Sequence, residues 1–316
     1  MSSSRPAVGV DIGGTKIAVG LVSADGALLE RVSEPTPEDV GKIPALIADL
    51  TERVTPDTGI EAIGIGAAGF VSSDRSTMRF SPNIAWADEA LGDEVGSLVS
   101  VPVVVENDAN AAAWGEFRFG AGADVDDLLL VTIGTGIGGG VVHRGALLRG
   151  ASGSAAEIGH MRVVPGGLLC GCGQRGCFEQ YASGRALVRA ARERLEAGDF
   201  RAAGLRSKAD DSDGLTGPEI TVLAQEGDEL ARELLADLGT WAGEGIASLA
   251  AVLDPAVVVI GGGVGEAGEL LLEPLRTSFT FHLSGAAHRP AIEVRPATLG
   301  NLAGLVGAAD LSRITS

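Results

Sequence analysis

A chain of 316 residues predicts about two domains, and 45% hydrophobic residues give it the material for a sizeable core. The formal charge of −18 argues against nucleic acid, which needs clustered Lys and Arg; it leaves anionic small molecules open, since glycine amides, helix N-termini and Mg2+ hold phosphate without a basic surface. No run is long and apolar enough to span a membrane, the polar start MSSSRPA does not read as a signal peptide, and three cysteines suit a reducing cytoplasm.

The chain opens with strand-like runs at Val8 to Val10, Ile17 to Val22 and Ala27 to Val32. The first two are joined by Asp11-Ile12-Gly13-Gly14-Thr15. A glycine turn of this kind exposes backbone N–H groups and the Thr15 hydroxyl, a rest for phosphate, and Asp11 at the strand end suits Mg2+ held through water. The turn is not a Walker P-loop, because G-x-x-x-x-G-K-[ST] is absent; an ordinary hairpin turn is the competing reading. Glu38 to Val54 reads as an amphipathic helix, and Ile60 to Gly66 as a buried strand ending in Gly66-Ala67-Ala68-Gly69. Small residues at a strand end let a ligand approach the backbone. A loop with Ser81-Pro82-Asn83 follows, then a helix around Asp88 to Leu98.

Val101 to Val105 is a strand that ends in Glu106-Asn107-Asp108-Ala109-Asn110, and a helical run comes next. A polar cluster at the carboxyl end of a buried strand is where α/β proteins place ligand groups, although Asp108 also suits a helix N-cap. Leu128 to Ile133 and Gly139 to His143 form a second strand pair, joined by Gly134-Thr135-Gly136-Ile137-Gly138, with a third strand at Ala146 to Arg149. This repeats the opening design and suggests an internal duplication with a cleft between the halves. Further on, Gly184 to Ala197 reads as a helix, Gly198 to Gly217 as a polar surface loop, and Pro218 to Leu253 as mainly helical. Val257 to Ile260 is a strand running into Gly261-Gly262-Gly263, followed by a helix, a last strand at Ile292 to Ala297 and a last helix at Leu302 to Leu311.

The segment 157–179, EIGHMRVVPGGLLCGCGQRGCFE, holds every cysteine of the chain. His160, Cys170, Cys172 and Cys177 follow H-x9-C-x-C-x4-C, one imidazole and three thiols suited to a tetrahedral structural zinc. Glycines between the thiols supply the unusual backbone angles that folding around an ion requires. Glu157 and Glu179 bracket the loop and are not needed by the metal, so zinc would clamp two acids and one face of an imidazole together. Buried free thiols are the plainer reading; a disulfide scaffold fails on the odd count.

Two stretches match G-x-G-x-x-G, beginning at Gly134 and at Gly263. The first leads into a strand rather than a helix, and the second lacks the acidic residue expected about twenty positions on. A dehydrogenase is thereby disfavoured. Three Gly-rich strand ends suit one nucleoside triphosphate gripped from two domains better.

Together, DIGGTKIAVG (11–20), VVENDANAAAWGE (104–116), TIGTGIGGG (132–140), EIGH (157–160), CGCGQRGCFEQYASG (170–184) and VVIGGGV (258–264) resemble the ROK family (repressors, open reading frames, kinases), and within it the glucokinases of actinobacteria. The resemblance runs from Val8 to about Asp310, almost the whole chain. It implies an α/β, two-domain actin/hexokinase-like (ribonuclease H-like) fold: a smaller domain of 1–107 plus 301–316, and a larger one of 108–300 carrying the zinc loop. It implies transfer of the γ-phosphoryl of ATP to the 6-hydroxyl of glucose. By position, Asp108 would be the catalytic base and would hold sugar hydroxyls with Asn107, alongside Gly66, Ala67 and Asn83. Glu157, His160 and Glu179 would hold the other end of the ring, His160 also binding zinc through its second nitrogen. Asp11, Gly13, Gly14, Thr15, Lys16, Gly134, Thr135, Gly136, Gly138, Gly261, Gly262 and Gly263 would embrace ATP, with Asp11 serving Mg2+. A homodimer or homotetramer is implied by the same resemblance.

One departure is Gly66-Ala67-Ala68-Gly69, where many members carry Pro before the last Gly. The alternatives are a kinase for N-acetylhexosamine, mannose or fructose, a polyphosphate-using enzyme, or a sugar-responsive repressor. The last would need a DNA-binding segment ahead of the first strand, where only MSSSRPA stands.

Overall fold

The computed structural model describes residues 5–81, 84–209 and 214–314. It resolves into two compact units, one of Met1–Leu130, Gly140–Ala156 and Ala297–Ser316, the other of Val131–Gly139 and Glu157–Pro296. In chain order the first stretch holds β1 (Ala7–Ile12), β2 (Lys16–Val22), β3 (Leu28–Pro35), α1 (Ile43–Val54), β4 (Ile63–Ala67), β5 (Phe70–Val71), β6 (Met78–Phe80), β7 (Ala87–Glu89), α2 (Leu91–Gly96), β8 (Val103–Asn107) and α3 (Asp108–Phe119). β9 (Leu128–Ile133), β10 (Ile137–His143) and β11 (Ala146–Leu147) follow, then α4 (Glu179–Ala182), α5 (Gly184–Glu196), α6 (Ala203–Ala209), α7 (Gly217–Glu226) and α8 (Glu229–Leu253). The chain closes with β12 (Val257–Gly261), α9 (Glu269–His282), β13 (Glu293–Pro296) and α10 (Ala303–Arg313). Among the described residues no helix is long and apolar enough to cross a membrane.

The first sheet runs β3-β2-β1-β4-β8. β1 and β2 pair antiparallel, as do β2 and β3, while β4 lies parallel to β1 and β8 parallel to β4. Alternation along β1 explains how both faces are covered. Val8 and Val10 share a core with Ile43, Ile47, Leu50 and Val54 of α1, while Ala7 packs with Leu305 and Ala309 of α10. The α10 face is kept small. A Cβ on Gly9 would strike the Leu305 carbonyl, and one on Gly64 the Ala308 carbonyl, so glycine there lets the helix lie directly on the strands.

α10 also fixes α3, the helix that begins at Asp108. Trp114 Nε1 and Arg118 Nε donate to Asp310 Oδ2 at 2.8 and 3.0 Å. At its far end, the buried carboxylate of Glu116 accepts the N–H groups of Ala121, Thr298 and Leu299 at 2.8, 3.1 and 2.7 Å. These long-range contacts put α3 in the first unit, where the sequence expectation set a boundary before Asp108.

The second sheet runs β11-β10-β9-β12-β13, the order of the first sheet element for element, and β12 and β13 pair in parallel. The duplicated strand-turn-strand design read in the sequence is therefore a duplicated sheet order. Two features lie outside the sequence reading. A small sheet, β5-β6-β7, occupies part of 70–89, including the start of the helix expected from Asp88. The polar stretch 198–217, expected as a loop, contains α6, which buries Leu205 completely; Arg201 beside it is fastened to Asp199 and Glu233 at 2.9 and 2.6 Å.

Candidate active site

In the first unit, strand register brings the expected residues to one edge. Asp11 pairs with Gly66, and Gly66 with Glu106; one step on, Ile12 pairs with Ala67, and Ala67 with Asn107. These are the carboxyl ends of three parallel strands, where sheets of this class bind ligands. Asn107, not Asp108, caps α3: its Oδ1 accepts the Asn110 N–H at 2.9 Å, and its Nδ2 donates to the Gly69 carbonyl at 3.0 Å. Asp108, the first residue of the helix, is thereby not the cap; its Oδ1 accepts its neighbour's N–H (Ala109, 2.9 Å). Burial pushes the Asp108 carboxyl above the ordinary carboxylate range, against the pull of the backbone N–H groups. Asp11 is raised to about 6, first by burial and then by the charge of Asp108, while Arg31 and Lys16 pull it down. The two acids thus share one electrostatic environment.

The turn after β1 is closed by Gly13 N–H donating to the Lys16 carbonyl at 3.0 Å, and Thr36 Oγ1 donates to the Gly13 carbonyl at 2.7 Å. Gly14, Thr15 and Lys16 are exposed. Of the other residues expected in this unit, Asn83 lies outside the described residues.

The second unit assembles its own glycine turns. Gly134 N–H donates to the Gly136 carbonyl at 3.0 Å, and Gly184 N–H, at the start of α5, donates to the Gly134 carbonyl at 2.7 Å. Gly262 follows β12 with φ of +84°; a Cβ there would lie 2.6–2.7 Å from the Ile133 backbone. Only glycine fits that angle and that approach. The 134–138 and 261–263 turns therefore sit together at one end of the β9–β12 pair.

The cysteine loop belongs to the same unit. The ligand atoms of His160, Cys170, Cys172 and Cys177 lie within 4.8 Å of one another. Zinc bonded to thiolates at about 2.3 Å and imidazole at about 2.0–2.1 Å sets neighbouring donors about 3.6–3.8 Å apart. Cys172 Sγ and Cys177 Sγ are 3.6 Å apart, and Cys170 Sγ and His160 Nδ1 are 3.7 Å apart. The donor set fits a tetrahedral metal. Gly173 (φ +85°) and Gly176 (φ +78°) make the turns that bring the thiols together. Phe178, fully buried, anchors the end of the loop with its N–H on the Met161 carbonyl at 2.8 Å. Glu179 reaches back, Oε1 accepting from the Cys170 thiol at 3.0 Å. Burial pushes that thiol up to about 12, and the Glu179 hydrogen bond adds to the shift.

The ROK family profile matches residues 7–314 of this chain. The chain belongs to the ROK family. It is 50% identical to the glucokinase of Streptomyces coelicolor over 307 residues, 97% of each chain. Its structure superposes with a TM-score of 0.88 on the ROK family glucokinase of Streptomyces griseus solved with glucose and AMPPNP, at 50% identity over 98% of this chain and 99% of the other. The ROK hexokinase of Thermus thermophilus gives a TM-score of 0.83 at 37% identity, over 98% of each chain. The fold class is the α/β, actin/hexokinase-like one that the sequence motifs imply.

In the sequence of this ROK chain Glu106 stands only as part of a polar cluster; the structure gives it a distinct position. Its Oε1 accepts from Asn110 Nδ2 at 3.1 Å and the Asn107 N–H at 3.2 Å. Its Oε2 accepts from Arg149 Nε at 2.7 Å, with Arg75 Nε 3.6 Å away. Burial, and then the charge of Arg149, lower the Arg75 guanidinium to about 10. A buried acid between two arginines thus stiffens the segment that presents Asn107 and Asp108. Composition around Glu106 hints at a ligand cluster, but neither arginine partner is near it in sequence.

Proposed function

We propose that this chain is an ATP-dependent glucokinase, transferring the γ-phosphoryl of ATP to the 6-hydroxyl of glucose. The observation that carries the reading is Asp108: a carboxylate at the carboxyl edge of parallel strands, raised in pKa and relieved of capping the helix by Asn107, in a chain half identical to glucokinases. As the O6–Pγ bond forms and the bond from Pγ to the β,γ-bridging oxygen breaks, the 6-hydroxyl proton passes to Asp108 and ADP departs. Such transfer is mostly positioning and charge stabilisation. A base whose pKa is raised toward the working pH accepts that proton more readily than an ordinary carboxylate.

Asn107 orients sugar hydroxyls beside Asp108, with Gly66 and Ala67 at the neighbouring strand end; Asn83 is assigned to sugar binding by the family resemblance alone. Glu157 and Glu179 supply acceptors for hydroxyls at carbons 1 to 3; His160 meets the sugar through Nε2, whose N–H donates to a hydroxyl oxygen, because Nδ1 faces the thiols. The turns 13–16, 134–138 and 261–263 offer N–H groups to the ATP phosphates. Asp11 is the group that would hold Mg2+, which would neutralise the phosphate oxygens. His160, Cys170, Cys172 and Cys177 would hold a structural zinc, which keeps Glu157, His160 and Glu179 in fixed relation. We place the enzyme in the cytoplasm as a homodimer or homotetramer, one domain built on the first sheet and the other carrying the zinc loop.

The test is product analysis with purified protein, glucose and Mg2+, comparing ATP with polyphosphate as donor. Glucose 6-phosphate formed from ATP is the expected result. Turnover with polyphosphate alone would transfer the chain to a different donor class.

A further inference from the structure

We propose that Arg185 is a positioning residue that couples the nucleotide turn to the sugar-binding carboxylate Glu179, so that each substrate strengthens binding of the other. The inference rests on the glucokinase reading above and adds to it a residue that holds two parts of the site in register.

Arg185 is the second residue of α5. Its backbone N–H and its Nε both donate to the Thr135 carbonyl, at 3.4 and 3.1 Å. Its Nη2 donates to Glu179 Oε2 at 3.3 Å. One guanidinium therefore bridges the 134–138 turn and the acid that reaches the metal cluster. The other oxygen of Glu179 accepts from Gln180 Nε2 at 3.3 Å and lies 3.0 Å from Cys170 Sγ. A polar path thus runs from Glu179, beside the cysteine loop, through Arg185 to the turn. Gly136 shows how closely these parts approach: a Cβ there would lie 2.6 Å from Glu179 Oε2 and 3.5 Å from Arg185 Nη2. The turn needs glycine at that position to meet the carboxylate at all.

The chemistry favours arginine for this role. A planar fork satisfies a carbonyl and a carboxylate at once, whereas lysine offers a compact charge on a flexible stem. The Arg185 side chain is 61% exposed and Glu179 only 9%, so the pair adds little to stability. What it contributes is geometry. Sugar hydroxyls that fix Glu179 also fix Arg185 and, through Thr135, the turn; phosphates that order the turn act on Glu179 in return, because such coupling is reciprocal.

The experiment is calorimetric titration of the zinc-loaded protein with AMPPNP and Mg2+, with and without saturating glucose, for wild type, Arg185→Met and Arg185→Lys. In wild type, glucose is expected to raise AMPPNP affinity by a factor in the range of about 5–150 typical of coupled sites. In Arg185→Met that factor should fall at least threefold, with melting temperature and zinc content unchanged, and Arg185→Lys should lie between. A merely structural arginine would shift the melting temperature and leave the factor alone. An undiminished factor in Arg185→Met, or no coupling in wild type, overturns the proposal. Loss of glucose phosphorylation in wild type is a separate outcome: it removes the glucokinase reading, and this inference with it.

Discussion

The two five-stranded sheets share one strand order but end differently. At the edge of the first, β1 finishes in Val10-Asp11-Ile12-Gly13-Gly14-Thr15; at the edge of the second, β9 finishes in Val131-Thr132-Ile133-Gly134-Thr135-Gly136. An acid in one stands where a hydroxyl stands in the other. The first edge adds a second acid, Asp108, whose charge, after burial, raises Asp11 to about 6. The second edge adds Gly262, pressed against Ile133. One architecture thus presents two electrostatic settings. Paired carboxylates suit accepting a proton and holding a cation, and a rim whose own side chains are neutral, with N–H groups at its turns and the Glu179 charge paired to Arg185, suits phosphate.

The largest effect is expected where the first edge loses its base. Asp108→Asn, nearly isosteric, should lower kcat by roughly 10²–10⁴ while glucose binding measured by calorimetry stays close to wild type. Near-normal kcat would remove Asp108 from proton transfer.

Making the second edge resemble the first is the converse change. Thr132→Asp should raise the KM for ATP about tenfold, because like charges about 4 Å apart cost on the order of 1–4 kcal/mol at surface-like dielectric. Steady-state kinetics at saturating glucose reads this directly, and an unchanged KM would show that the neutral rim does not face phosphate.

Cys172→Ala tests whether the cysteine loop is held by metal. Bound zinc per chain should fall, the melting temperature should drop, and the KM for glucose should rise more than that for ATP, since Glu157, His160 and Glu179 lose their clamp. Active wild-type protein without zinc, by elemental analysis, would refute the metal role.

The smallest effect concerns the cost of the acid pair. Asp11 has a higher pKa folded than unfolded, so between pH 3.8 and about 6 the folded state binds more protons and stability falls as pH rises. Asp11→Asn should therefore stabilise the Mg2+-free protein by about 1–3 kcal/mol at neutral pH, and the gain should vanish below the ordinary Asp pKa. Denaturant midpoints across pH check this; a gain confined to acid pH would contradict it.

What the sequence made legible follows from how local each signal is. The cysteine loop was readable because four donors lie within eighteen residues and their spacing alone suggests a tetrahedron. The paired strand-turn-strand units were readable because apolar runs and Gly/Thr turns recur in the same order. Asp108 was located but its alternative use was misplaced: the cap is Asn107, and either residue is a good cap by type. Glu106 with Arg149, Glu116 with Thr298 and Leu299, and Asp310 with Trp114 were not legible. Each joins residues far apart in the chain, and a lone buried acid carries no mark of its partners. α6 was hidden for another reason. Its sequence is polar on balance, and the single buried Leu205 cannot reveal a helical face.

The most direct test of the account is kcat/KM for glucose, mannose and N-acetylglucosamine, measured side by side with ATP and Mg2+. A site whose acceptors await hydroxyls discriminates against ligands that leave them unpaired. Mannose turns its 2-hydroxyl axial, and N-acetylglucosamine replaces it with a bulkier amide beside a metal-clamped loop. The account predicts glucose well ahead, mannose a poor substrate and N-acetylglucosamine rejected; either sugar matching glucose would contradict it.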